Sequence, residues 1–395
     1  MKKILFFTVA AATVMALTGC SQSSDLADTE VTTQTPVSFD TYLAKTRAGA
    51  LGSQTTGTLM TNGFGVFAYY TTSDYKAGST IPNFMYNTKV IGSTTGTPTT
   101  WKYTPLRYWP NNDGKISFFA YAPYVGVNSD GQPNISTDTN SYGITGLTKN
   151  SVSDAPSISY DLGTDVTNSV DLLRGVKKGD NSKTNINLTR TDNIVGFTFK
   201  HALAKFNIKA KTVSAIDAST KVTIESIKIT DSNNLSQTGT LNLVDGSWSN
   251  YGGKVLLTIG NTNINTNFAE SLAREIQNTT DLATFEKIAG LKTDAQSVMI
   301  GDKSCYFIPT SKPSMTIEVT YWVRTLDNNL RYGVTSEGSS NTIKKTITFT
   351  NDFQSNKQYS LTLNIGLKSI TFDAEVSNWD TEVATNPDAV DISVK

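Results

Sequence analysis

The chain has 395 residues, with 34 Lys plus Arg balanced by 34 Asp plus Glu, a single His and two Cys. A formal net charge of zero leaves out the basic face that a nucleic-acid partner requires. The two cysteines, Cys20 and Cys305, leave no intrachain disulfide once Cys20 is otherwise engaged, so stability must come from core burial in a chain long enough for two ordinary domains.

In chain order, Lys2 and Lys3 precede an apolar run from Ile4 to Leu17, the length of a secretory signal and too short to span a bilayer. Leu17-Thr18-Gly19-Cys20 reads as a lipobox. Residues 1–19 are then a lipoprotein signal peptide removed by a signal peptidase. Cys20 would carry diacylglycerol on its thiol and a fatty acyl chain such as palmitate on its new amino group. Several chains at roughly 0.8 kcal/mol per buried CH₂ make a firm anchor. Residues 20–36, with Asp25, Asp28 and Glu30 and no Lys or Arg before Lys45, form an acidic tether suited to the outer leaflet of an outer membrane.

Val37, Phe39 and Leu43 fall on one face of an extended chain and Ser38, Asp40 and Tyr42 on the other, the pattern of a half-buried strand. The strand ends at Arg47, followed by Ala48 and a Gly/Ser/Thr-rich run from Gly49 to Gly57, so an Arg-specific, trypsin-like protease is offered an exposed bond. Two readings stay open: residues 37–47 are a removable first strand whose groove takes another subunit, or an ordinary strand precedes an ordinary loop. Phe64 to Tyr70 follows as a strand with two buried faces. Trp101 to Pro110 and Lys115 to Tyr124, around Asp113-Gly114, read as an aromatic hairpin. Trp101, Tyr103, Tyr108 and Trp109 either stack on sugar rings or pack between sheets, packing being favoured; Pro105, Pro110 and Pro123 confine these strands to edges and ends.

The stretch from Val125 to Asn185 is loop-rich, with strand-like Ser157 to Tyr160 and Val170 to Leu173, and Lys177 to Asn185 is the expected linker. Residues 37–180 and 186–395 are thus read as two domains. The second opens with Val195 to Ile208. It continues with Val222, Ile224, Ile227 and Ile229, whose alternation shifts face at Ser226 as a bulge would make it. Leu241 to Trp248 signals a hairpin. From Asn265 to Ala289, apolar residues recur at helical spacing (Phe268, Leu272, Ile276, then Leu282, Phe285, Ile288), predicting one or two short inserted helices. Strands are expected again at 304–309, 315–323, 343–349 and 359–367. Val390, Ile392 and Val394 share one face of a C-terminal strand, 389–395, which either adds to another molecule's sheet or closes its own domain.

The chemical inventory holds no phosphate loop, no His/Cys metal spacing and no cofactor motif. His201 and Cys305 both read as buried structural residues. Asp231 to Asn234 and Asp327 to Asn329 read as turns before they read as calcium ligands. No catalytic residue is assigned and the chain is not read as an enzyme.

Several motifs, in order, carry a resemblance: Thr46-Arg47-Ala48, Phe64 to Tyr69, Trp101-x-Tyr103-x-Pro105-Leu106-x-Tyr108-Trp109-Pro110, Phe118 to Tyr124, His201 to Phe206, Tyr306 to Pro309, and Ile370 to Val376 with Trp379. Together they span nearly the whole chain beyond Cys20, which resembles the fimbrillin family, the lipoprotein precursors of type V pili (the Mfa-like and major-fimbrillin group). The resemblance implies an all-β fold of two tandem transthyretin-like Greek-key β-sandwich domains. It also implies a shaft, tip or anchor subunit of a cell-surface fimbria that supports adhesion. Its partners would be other pilin subunits and a host or bacterial surface ligand. The alternative is a lipid-anchored surface binding protein, for glycans among other ligands, that keeps its first strand and never polymerises.

Overall fold

The computed structural model describes residues 34–43, 56–93, 100–128, 130–134, 142–165, 167, 169–270, 288–325, 338–367, 369–379, 388–389 and 392–394. The strands of the first half are β1 (Ser38–Leu43), β2 (Phe64–Thr71), β3 (Met85–Gly92), β4 (Trp101–Lys102), β5 (Lys115–Ala122), β6 (Ile144–Leu147), β7 (Ser157–Asp161), β8 (Leu173–Lys177), β9 (Asn185–Leu188) and β10 (Ile194–His201). Those of the second half begin with β11 (Ala204–Thr212), β12 (Thr220–Asn233), β13 (Thr238–Asn242), β14 (Trp248–Gly252), β15 (Leu257–Gly260) and β16 (Gln296–Ser297). They end with β17 (Cys305–Phe307), β18 (Ser314–Thr325), β19 (Gly338–Phe349), β20 (Lys357–Ile365), β21 (Ile370–Asn378), β22 (Asp388–Ala389) and β23 (Ile392–Val394).

The described strands form four sheets in an all-β, sandwich-like arrangement. The largest runs β1-β10-β8-β5-β2-β3-β4 with β9 added on β5, and a smaller one runs β14-β13-β7-β6. The other two run β16-β11-β20-β21-β22, with β17 on β11, and β15-β12-β18-β19-β23. These last two bury their inner faces against each other: Phe206, Ile208, Leu361 and Leu363 from one share a core with Ile224, Ile227, Ile317 and Val319 from the other. Ring contact between Phe206 and Phe349 at 6.3 Å ties the layers together.

β2 and β5 are buried on both faces, as their continuous apolar sequence predicts. Phe64, Val66 and Ala68, with Ile116, Phe118 and Ala120, point into one core cluster. Phe67, Tyr69, Phe119 and Tyr121 point into the other. The expected bulge in β12 is present, with a register shift against β18 between Ile224 and Ser226. The β13/β14 hairpin forms where Asp245-Gly246 predicts it, Gly246 taking φ +82°.

Other expectations are corrected. The aromatic hairpin does not form: β4 holds only Trp101–Lys102 and pairs with β3, while β5 pairs with β2. Pro105 and Pro110 cannot donate to a ladder, so residues 103–109 leave the sheet and cross its face. The run Val195 to Ile208 is two strands, because the chain turns at Ala202-Leu203 and passes from the first sheet into another. A helix absent from the sequence reading, α1 (Thr56–Asn62), precedes β2. It buries Leu59 and ends at Gly63, whose φ of +78° lets its N–H reach Leu59 O at 2.9 Å as a C-terminal cap. The stretch from 177 to 185 folds as a turn between β8 and β9, with Lys177 N–H on Lys183 O at 2.7 Å. The sheet of the first half takes β10 from beyond residue 186. The helices expected within 265–289 fall mostly outside the described residues, although Phe268 and Ile288 at their margins are buried.

One buried ion pair has no sequence signal. Arg324 on β18 and Glu270 are each 1 % exposed, and Arg324 Nε donates to Glu270 Oε2 at 3.1 Å while Nη2 donates to Oε1. Thr223 Oγ1 also donates to Oε2. Removing one partner of such a pair strands the other charge in a dry interior, at about 3 to 5 kcal/mol. Arg324→Met is therefore expected to lower stability to urea by that amount. The double variant with Glu270→Gln should recover part of the loss, read from denaturation midpoints.

Candidate functional site

The first strand carries two apolar side chains that anchor it. Val37 is 1 % and Phe39 6 % exposed, while Ser38 between them faces solvent. The Phe39 ring sits in an aromatic nest, with ring centroids at 5.3 Å for Tyr103, 6.0 Å for Phe118, 6.1 Å for Phe64 and 6.2 Å for Phe197. Each such edge or offset pair adds about 0.5 to 1.5 kcal/mol beyond area burial. The backbone of β1 pairs in parallel with β10, Ser38 opposite Ile194 through Leu43 opposite Phe199.

The segment that failed to make a hairpin holds the other side. Val37 N–H donates to Arg107 O and Trp109 N–H to Thr35 O, both at 2.9 Å. The Tyr103 hydroxyl donates to Val37 O at 2.8 Å. Trp109, 2 % exposed, packs its ring on Phe118 at 5.9 Å. Residues 103–109 thus strap the start of β1 against the sheet. Of the four aromatics considered for sugar stacking, Trp109 is buried, Trp101 and Tyr103 are half-buried against the same cluster, and only Tyr108 is exposed. The rim adds little: Lys178 pairs with Asp40, but both side chains are about half exposed, worth roughly 0 to 1 kcal/mol.

Cys20, Arg47 and Ala48 lie outside the described residues, as does Val390. Ile392 and Val394 lie on β23, whose main chain pairs with the β19 edge, Ile347 opposite Val394 and Phe349 opposite Ile392. β22 pairs with β21 on the facing sheet, Glu375 opposite Ala389. The last strands therefore contact both layers of their own sandwich.

His201 and Cys305 are structural. The His201 ring is 1 % exposed, meets Asp171 Oδ2 through Nδ1 at 2.7 Å, and lies flat on Trp379 at 3.6 Å with an interplanar angle of 4°. Trp379 stacks in turn on Tyr306 at 5.5 Å. Three of the quoted motifs thus meet in one stack. Asp171, unremarked in the sequence reading, was signalled only by a charge inside an apolar run. Cys305 is fully buried, which pushes its thiol up to about 12, and its Sγ contacts Met299 Sδ at 3.9 Å. The turn expected at Asp231 to Asn234 is corrected: Asp231 to Asn233 are the end of β12, opposite Thr316 to Ser314 on β18 past a register shift at Ile229/Asp231. Asp231 accepts from Ser232 N–H at 2.9 Å and pairs with Lys254 at 3.1 Å; Asp327 to Asn329 lie outside the described residues. Among the described residues no three His, Cys, Asp or Glu side chains gather as a metal site.

Layered, mainly antiparallel sheets, with an edge strand seated in an aromatic groove at one end and a short pairing strand at the other, define an all-β sandwich-like protein. A family model described as fimbrillin-like matches residues 46–379, and the chain belongs to that family. It is 34 % identical over 222 residues to the fimbrium subunit Fim1C of Phocaeicola vulgatus, the match covering 54 % of this chain and 54 % of that protein, about half the length of each. A fimbrial protein from Bacteroides vulgatus, known from its crystal structure, shares the fold at a TM-score of 0.63 and 22 % identity, over 87 % of this chain and 99 % of that one.

The aromatic nest makes Phe39 the residue on which seating of β1 turns. Phe39→Ala is expected to destabilise the chain by about 3 to 5 kcal/mol, the cost of a buried Phe truncation. Ser38→Ala, on the exposed face, should stay within about 0.5 kcal/mol of wild type; urea titration followed by tryptophan fluorescence reads both.

Proposed function

We propose that the chain is a structural or accessory subunit of a cell-surface type V pilus. It is lipidated at Cys20, held at the outer membrane, and matured by cleavage between Arg47 and Ala48. Loss of residues 37–47 opens the groove lined by Phe64, Tyr103, Phe118 and Phe197, and a strand from a neighbouring subunit fills it. The donated strand is the C-terminal segment carrying Val390, Ile392 and Val394. A head-to-tail contact that does not close on itself builds a filament. Two sandwich domains, 37–180 and 186–395, with β10 reaching back between them, form the repeating unit.

The observation that carries this reading is the seating of β1. It is a sheet-edge strand anchored by two apolar side chains and a parallel ladder, and it precedes the expected cleavage bond directly. A strand held that way can be replaced by another with apolar residues at the same alternate positions, because main-chain bonds give affinity and pockets give register. Membership of the fimbrillin-like family and similarity to a fimbrium subunit support the same role.

A second reading is favoured by the C-terminal strand, whose pairing with β19 closes its own sheet. On that reading the protein stays a monomeric, lipid-anchored surface binding protein or an uncut anchor subunit.

Intact mass and N-terminal sequence of protein from the cell surface and from sheared medium separate the two. The pilus reading expects a chain starting at Ala48 that runs as heat-resistant ladders, and Arg47→Ala should abolish both. A chain starting at acylated Cys20, monomeric and membrane-held, overturns the shaft role.

A further inference from the structure

A cleft of about 280 Å³ opens between β8, β10 and the β13/β14 turn, lined by Arg174, Asn181, Lys200, His201, Asp245 and Asn356. Arg174 is only 8 % exposed, and among the described residues its guanidinium is held by main-chain oxygens: Nε donates to Leu243 O at 3.0 Å, and Nη2 to Val244 O at 2.7 Å and Ser182 O at 3.2 Å. Among the described residues no carboxylate forms an ion pair with it. Asp245, the neighbouring acid, spends its carboxylate on its own turn, accepting from Ser247 N–H at 2.8 Å and Ser247 Oγ at 2.6 Å. Burial pulls the guanidinium down to about 10, with Asp245 offsetting part of that effect, so at neutral pH it remains a cation in a poorly solvated place.

A buried cation cradled by neutral carbonyls carries a desolvation cost that an incoming anion would offset. Nη1 is the arm of the fork that makes no bond to the carbonyl cradle, and it faces Gly246, where a Cβ would stand 2.9 Å from it. A side chain at that position would close off the arm; the glycine, needed for its φ of +82°, also leaves the arm open. Lys200 adds a second cation to the lining, the exposed Asn181 amide offers a neutral donor and acceptor to sugar hydroxyls, and the Ser355 oxygen, whose proton goes to Ala202 O, offers an acceptor.

We infer that this cleft binds an acidic monosaccharide, a hexuronic acid or similar carboxylated sugar, with its carboxylate on Arg174 and its hydroxyls on the Asn and Ser side chains. The site is formed within one chain and is independent of whether subunits polymerise. It gives a fimbrial surface a direct contact for uronic acid-bearing glycans.

The test uses the full chain and saturation-transfer difference NMR with glucuronate, glucose, acetate and a short peptide with a free C-terminus as probes. Glucuronate is expected to give saturable transfer, with glucose weaker by about tenfold or more for want of the charge-assisted bond. Arg174→Lys keeps the charge but loses the planar fork and should weaken glucuronate by about tenfold. Asn181→Trp, on the exposed rim and away from the cradle, should block the cleft without touching the fold, which a thermal melt checks. Equal signals from glucuronate and glucose, or an Asn181→Trp variant that binds as wild type does, overturn the site. Acetate and the peptide binding as well as glucuronate overturn the sugar assignment and leave a peptide-carboxylate site.

Discussion

The structure depends on the turn at Ala202-Leu203, where the chain leaves the largest sheet and enters the next. Ala202 N–H bonds to Leu172 O at 2.7 Å, and its carbonyl accepts from Trp248 Nε1 at 3.1 Å and Ser355 Oγ at 2.9 Å. Leu203 O takes Asn356 N–H at 3.2 Å. The residue before the turn, His201, is pressed between Asp171 and Trp379. One short segment is thus bonded to elements from four separate parts of the chain, and β10 and β11 cannot shift independently. Because β10 is the partner of β1, the groove for the first strand is built on the same clamp that organises the C-terminal sandwich.

The proposed exchange of β1 would place two demands on it: to hold the chain together while present, and to lie at an edge where its departure exposes one groove and not a whole core. Here the holding energy is concentrated in Val37 and Phe39, with a main-chain ladder on one side and the 103–109 strap on the other, while the ionic rim contributes almost nothing. Three aromatic walls of the groove, Phe64, Phe118 and Phe197, belong to β2, β5 and β10, which also pair with other strands, and the fourth, Tyr103, belongs to the strap. The Arg174 cleft lies beside the same β8–β10 pair, where main-chain carbonyls hold the guanidinium and His201 forms part of the lining.

Much of the local architecture was legible. Two-faced burial of Phe64 to Tyr70, the face shift at Ser226 and the Asp245-Gly246 hairpin all follow from period-two patterning and turn chemistry. The Trp101 to Tyr124 hairpin misled because aromatic richness was weighed above Pro105 and Pro110, which deny the ladder its donors; the same residues became a strap. Helix α1 was missed because Gly57 and the Thr-rich run around it resemble a loop, although Leu59 buried against β3 and the Gly63 stop decide otherwise. The run from Val195 to Ile208 shows continuous strand character, and no local signal marks the break at Ala202.

By itself the sequence determined most of the segments that extend, which of their faces are apolar, some of the turns between them, and that the family is the fimbrillin-like one. Only the tertiary structure decided which strands are neighbours. The parallel pairs β1 with β10 and β11 with β20 join residues more than a hundred positions apart, and alternation specifies a buried face without specifying what covers it. For the same reason, the buried charges of Arg174, Glu270 and Arg324 had no sequence signature. Their environment is assembled from carbonyls and side chains contributed by distant strands, and it exists only after those strands have met.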